Sequence, residues 1–209
     1  MRAIPSAAAA AWLLGATLSL ATAAVSYRYL LPSTPGVPGN VAANPFAWPL
    51  LPLHAVFAAT ALLLGPFQFW RGARVRRPSL HRASGRVYVG ACLAGGVTGL
   101  GLALGSTAGP IAATGFAALA TAWIYVTVRG WRSAVQGGFI EHRRWMARSF
   151  ALTFAAVTLR LQIPLAAAAA LEPLEAYRAI AWLCWVPNLL AVEACLALTS
   201  LRLRTPKEA

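Results

Sequence analysis

Residues 141–164 read EHRRWMARSFALTFAAVTLRLQIP, and this stretch decides how the chain is understood. It opens with a histidine among arginines, carries no charge between Arg148 and Arg160, and then sets Arg160 among leucines. A helix turns about 100° per residue, so His142, Ser149, Thr153 and Arg160 share one face. Eighteen residues rise about 27 Å, close to the roughly 30 Å of a bilayer core. One side of this helix therefore carries a histidine at one membrane surface and an arginine deep toward the other.

The rest of the chain agrees with a membrane setting. Apolar residues make up 59% of the 209, charged residues 11%, and the mean hydropathy is +0.63. Soluble domains carry about 25% charged residues, so the chain reads as an integral membrane protein of one domain. The net charge of +13 would raise nucleic acid as a partner of a soluble chain. Here the arginines fall between apolar runs, topology accounts for them, and no nucleic-acid partner is expected. Cys92, Cys184 and Cys195 lie inside apolar runs at unrelated spacings, which suits small buried side chains rather than a disulfide or metal set. No His-Glu-x-x-His run or serine–histidine constellation appears, so no metal is expected beyond the haem iron considered below.

Taken in order, residues 1–31 form a first transmembrane helix, serving as a signal anchor, or a cleaved signal peptide, since Ala21-Thr22-Ala23 resembles a cleavage site. Residues 32–49 form an extracytoplasmic Pro/Gly loop, 50–201 a five-helix membrane core, and 202–209 a basic cytoplasmic tail. The core spans are expected near 50–70, 87–104, 111–128, 150–170 and 180–201, joined at 71–86 and 129–148 by arginine-rich linkers. The fold class is all-α: a polytopic transmembrane helical bundle of about six helices. Of the eighteen basic residues, fifteen fall on one side; Arg28 and Arg178 fall on the other and Arg160 lies between. The positive-inside rule then puts both termini in the cytoplasm.

The two basic linkers share a spacing. Trp70-Arg71 is followed by His81-Arg82, Trp131-Arg132 by His142-Arg143, and both pairs are offset by 61 residues. Either chance or a parallel repeat of two helical hairpins gives this pattern. A repeat would put His81 and His142 at matching depth on parallel helices, able to hold something between them. His81, Gly85, Tyr88, Cys92, Gly95 and Gly99 form one stripe whose small residues would leave room for a partner or cofactor.

Arg160 and Glu193 are expected to reach similar depth on antiparallel neighbours. An unpaired charge there costs at least about 2.5–3.5 kcal/mol, so mutual pairing is the natural resolution. The pair is either structural or part of a proton or substrate site. With His54, Gln162 and Asn188 it would form an intramembrane polar cluster, near carbonyls freed by Pro164 and Pro187.

The segments LHRASGRVY, EHRRWMARSFALTFAAVTLRL and AWLCWVPNLLAVE resemble an uncharacterised bacterial membrane-protein family, domain of unknown function 2306, over roughly residues 53–193. The resemblance implies a multi-pass protein of the bacterial inner membrane and supplies no established reaction. A looser similarity joins the chain to b-type cytochromes of the transmembrane ferric and ascorbate reductase kind. That similarity implies haem b held by His81 and His142 as axial ligands. The repeat partner of His54 is Gly115, so at most one bis-histidine site is available.

Three functional readings follow. The first is a binding or scaffold module whose Arg82, Arg86, Arg143, Arg144 and Arg148 meet the anionic headgroups of the bilayer. The second is a single-haem or quinone electron carrier with an unidentified redox partner, His81 and His142 as ligands, and arginines suited to propionates. The third is a small proton-coupled transporter using His54, Arg160 and Glu193; six helices are few for a carrier, and a homodimer would supply more.

Overall fold

The computed structural model describes residues 6–31, 37 and 39–204, and those residues are helical almost throughout. Helix α1 (Ser6–Ser26) continues into a 3-10 turn (Tyr27–Leu30), and a short α2 (Gly39–Ala42) precedes α3 (Ala47–Phe69). Next come α4 (Arg71–Arg76), α5 (Pro78–Leu104), α6 (Pro110–Val135) and α7 (Phe139–Thr153). Helices α8 (Ala155–Ala168), α9 (Pro173–Leu183) and α10 (Val186–Arg204) complete the order. Six helical stretches are long and apolar enough to cross a membrane, with α7–α8 and α9–α10 each counting as one. The chain is an all-α, multi-pass bundle.

Both arginine-rich linkers are largely helix. α5 begins at Pro78 and α7 at Phe139, each well before its apolar run. Pro78 sits in the first turn of α5, where its missing N–H costs nothing and its fixed φ suits a helix. The two helix starts are themselves 61 residues apart, so His81 and His142 each occupy the fourth position of their helix. The sequence offset thus has a geometric counterpart.

Helix α3 packs most extensively on α5, α5 on α6, and α6 on α7, while α1 leans on α3 and α8 on α9. Small residues let the backbones close up. A Cβ on Gly96 would stand 2.5 Å from Ile124, and one on Gly115 3.0 Å from the Ala181 carbonyl oxygen. Such contacts, with apolar side chains such as Val97 and Leu104 left on the outside, are what a bundle in lipid requires.

Two crossings are broken at one level. Phe154 ends α7 and opens α8, and Cys184–Trp185 separates α9 from α10. Pro187 has no N–H for the Leu183 carbonyl, and Gln162 Nε2 donates to that oxygen at 3.1 Å. The Cys184 carbonyl accepts from Asn188 Nδ2 at 3.0 Å and from the Thr158 hydroxyl. The side chains of α8 and α10 thus satisfy what the break exposes.

Candidate functional site

In the half of the bundle near the basic ends, a buried hydroxyl network joins α5, α6 and α7. Tyr88 is 1% exposed, and its hydroxyl lies 3.2 Å from Ser149 Oγ and 3.1 Å from Thr153 Oγ1. Ser149 also bonds Thr127 at 2.8 Å, and Trp123 Nε1 donates to Thr153 Oγ1 at 3.0 Å. Tyr88 and Ser149 are again 61 residues apart. The face that carries Ser149 and Thr153 therefore meets α5 and α6, and it does so through neutral groups.

Above this network the bundle is hollow. A cavity of about 530 Å³ runs from Leu62, Trp123 and Leu152 at its floor to Tyr29, Asn44 and Ser106 at its mouth. Its mouth lies at the end away from the basic linkers. The loop that follows α2 roofs it: Asn44 Nδ2 donates to the Leu102 carbonyl at 2.7 Å and Thr107 Oγ1 to the Asn40 carbonyl at 2.7 Å. Arg178 braces the rim, donating from Nε to the Ala108 carbonyl at 2.8 Å and pairing with Glu175.

Halfway down, His54 on α3 and Arg160 on α8 line the cavity together. His54 is five residues beyond Pro49, where regular helix begins after the non-helical Trp48, and Arg160 is eight from the end of α8, so they lie about 8 and 12 Å below the mouth-side helix ends. His54 Nδ1 lies 2.9 Å from the Gly95 carbonyl oxygen. A carbonyl only accepts, so Nδ1 carries the proton and Nε2 is left to act on its own. The ring fits because α5 is glycine there: a Cβ on Gly99 would stand 3.0 Å from His54 Cε1. Arg160 Nη1 donates to the Ala156 carbonyl at 3.0 Å. Arg28 and Tyr29 line the same cavity nearer its mouth.

The expected Arg160–Glu193 pair does not form. Glu193 accepts from Arg148, Nε to Oε1 at 2.5 Å and Nη2 to Oε2 at 2.8 Å, in a two-pronged bridge between α7 and α10. Arg148 also lies over the Trp145 ring, 4.7 Å from its centroid. In the fold α10 runs on past Arg148, and Glu193 sits nine residues before Arg202, or about 13–14 Å back along the helix. The intramembrane polar cluster accordingly divides into three parts. His54 and Arg160 share the cavity, Gln162 and Asn188 serve the break between α9 and α10, and Glu193 lies with Arg148 toward the basic end.

The two linker histidines occupy matching positions near the starts of α5 and α7. His142 Nδ1 donates to the Gly130 carbonyl at 2.9 Å, whereas His81 Nδ1 is buried without a partner. The residues do not fit a haem housed along the glycine stripe. A Cβ on Gly95 would meet Trp123 at 3.1 Å, and one on Gly85 would meet Gln68 at 3.3 Å. Gly85 receives Gln68 of α3 and Gly95 receives Trp123 of α6, and buried Tyr88 and Cys92 fill the stripe between them, while Gly95 and Gly99 also border the cavity that holds His54.

The rim arginines divide likewise. Arg82, Arg86 and Arg143 are exposed, Arg144 pairs with Glu141 at 2.8 Å, and Arg148 is held by Glu193. The cavity was missed as a whole: its residues come from helices far apart in sequence, and only His54 and Arg160 stood out among apolar neighbours.

A family of predicted membrane proteins, domain of unknown function 2306, matches residues 51–196 of the 209. The chain belongs to this family. The match runs from the early part of α3 into α10, so it takes in His54, Arg160 and both linker histidines. No curated protein and no solved structure matches the chain.

Proposed function

We propose that this member of the family is a binding module of the bacterial inner membrane, loaded from the extracytoplasmic side. The observation that carries this reading is the cavity: about 530 Å³, apolar at its floor, with His54, Arg160 and Asn44 converging on it. Small-molecule sites have volumes of about 300–1,000 Å³, apolar walls and a few convergent polar groups. The excess of arginine at the ends opposite the mouth supports a cytoplasmic position for both termini. Exposed Arg82, Arg86 and Arg143 suit contact with anionic headgroups on that side.

Thiol accessibility tests the reading. In a chain with its three cysteines changed to alanine, Ala58→Cys, on the cavity wall, should react in intact cells with a small membrane-impermeant thiol reagent. Gln136→Cys, in the turn after α6, should react only after the cells are opened. Reaction of Ala58→Cys only from the inside, or not at all, rejects the reading.

A further inference from the structure

The cavity holds a cation without a counter-charge. The chain has five acidic residues, all glutamate. Glu141 pairs with Arg144, Glu175 with Arg178 and Glu193 with Arg148. Glu172 accepts the Leu174 and Glu175 N–H groups at the start of α9. Glu208 lies outside the described residues. Among the described residues, then, no carboxylate reaches Arg160, and no acidic side chain lines the cavity.

Arg160 nevertheless sits about 12 Å inside the bundle, and its Nη1 donates to the Ala156 carbonyl one helical turn back. A guanidinium has five N–H donors in a planar fork matched to a carboxylate or phosphate. Arg28 lines the same cavity nearer its mouth, and no carboxylate among the described residues lines it. Buried charges are paired, and here the missing partner is an anion.

From this geometry we infer that the cavity takes an acidic amphiphile with one apolar chain, its anionic head on Arg160 and His54. The inference rests on the binding reading above and names the ligand class. The head meets the guanidinium fork of Arg160, and His54 Nε2 either accepts a proton from the acid or, once protonated, donates to the anion. The chain lies below, against Leu62, Leu119, Leu152 and Leu159, while Asn44 and Tyr29 leave the neck wet enough for entry of a charged head. A free fatty acid and a single-chain lysophosphatidic acid offer the same chemistry.

The test uses the purified full chain in neutral-detergent micelles and measures saturable binding of palmitic acid, its methyl ester and lysophosphatidic acid. A charged hydrogen bond is worth about 1.5–3 kcal/mol, so the ester should bind about 10- to 100-fold more weakly than palmitate. Arg160→Gln should weaken palmitate binding by a similar factor and leave the ester unchanged, while Arg160→Lys should lose less. The ester comparison requires no variant, so a misfolded substitution does not blunt the test. Whichever acid binds more tightly identifies the source as a free carboxylate or a lipid phosphate. Equal binding of palmitate and ester, or no saturable binding of either acid, overturns the anionic class. Ala58→Trp fills the cavity and should abolish all binding. If the ester binds as well as the acids and Ala58→Trp removes it, the cavity stands and the anion falls; if Ala58→Trp changes nothing, both readings fall.

Discussion

Removing the Tyr88 hydroxyl is the sharpest test of what holds the basic half together. Tyr88→Phe keeps the ring in place and deletes bonds of 3.2 Å to Ser149 and 3.1 Å to Thr153. Neither partner is orphaned. Ser149 keeps Thr127 at 2.8 Å, and Thr153 keeps Trp123 Nε1 at 3.0 Å while donating to the Ser149 carbonyl at 2.8 Å. Between membrane helices a hydrogen bond contributes about 0.6 kcal/mol on average, and in soluble proteins about 1 kcal/mol. Two such bonds without an orphan penalty predict a loss of about 1–2 kcal/mol. Tyr88→Ala also empties a fully buried site and should cost about 3–5 kcal/mol. The assay is reversible unfolding in mixed micelles, with Tyr88→Phe combined in turn with Ser149→Ala and Thr153→Val. A Tyr88→Phe protein as stable as the parent, with no coupling to either partner, would refute the network as a stabilising element.

Glu193→Gln should cost about 0.5–1 kcal/mol, kept small because the carboxylate is 44% exposed, and less again in an Arg148→Gln background. Its effect should add to that of Arg160→Gln; coupling to Arg160 instead would restore the pairing that the sequence suggested. Gly115→Ala pushes a Cβ to 3.0 Å from the Ala181 carbonyl and 2.9 Å from Trp182 Nε1, so overpacking of about 1–3 kcal/mol outweighs the gain in helix propensity. Gly90→Ala meets nothing within 4 Å and should be neutral or slightly stabilising. Identical unfolding shifts for the two glycines would contradict the packing described.

Much of the fold was legible because bilayer thickness sets span length, so the six apolar stretches stand out in the sequence. The 61-residue offset also carried true information, since it recurs in the helix starts at Pro78 and Phe139 and in the Tyr88–Ser149 bond. The pairing of Glu193 was not legible. Depth counted along separate helices does not say which side chains meet, and α10 brings Glu193 beside Arg148 rather than Arg160. The glycine stripe read as vacant room because a sequence does not say which neighbour faces it; Trp123 from α6 and His54 from α3 fill it. The hydroxyl network was hidden for a different reason. Ser149 and Thr153 look like any helix-borne hydroxyls that bond their own carbonyls, until Tyr88 is placed opposite them.

The breaks at Phe154 and at Cys184–Trp185 give the molecule unequal stiffness. Below them, α7 is tied to α10 by the Arg148–Glu193 bridge and to α5 by the Tyr88 hydroxyl. Above them, α8 and α9 lie against each other, and the Thr158 and Gln162 side chains tie them at the level of the breaks. That pair carries Arg160 on one arm and is anchored on the other, because α9 packs closely on α6, where Gly115 admits the Ala181 carbonyl and Trp182 Nε1 donates to the Ile111 carbonyl at 3.1 Å. Widening the mouth would therefore have to break the α6–α9 seam as well as the contact of Arg178 with Ala108, so that seam sets how far the cavity can open.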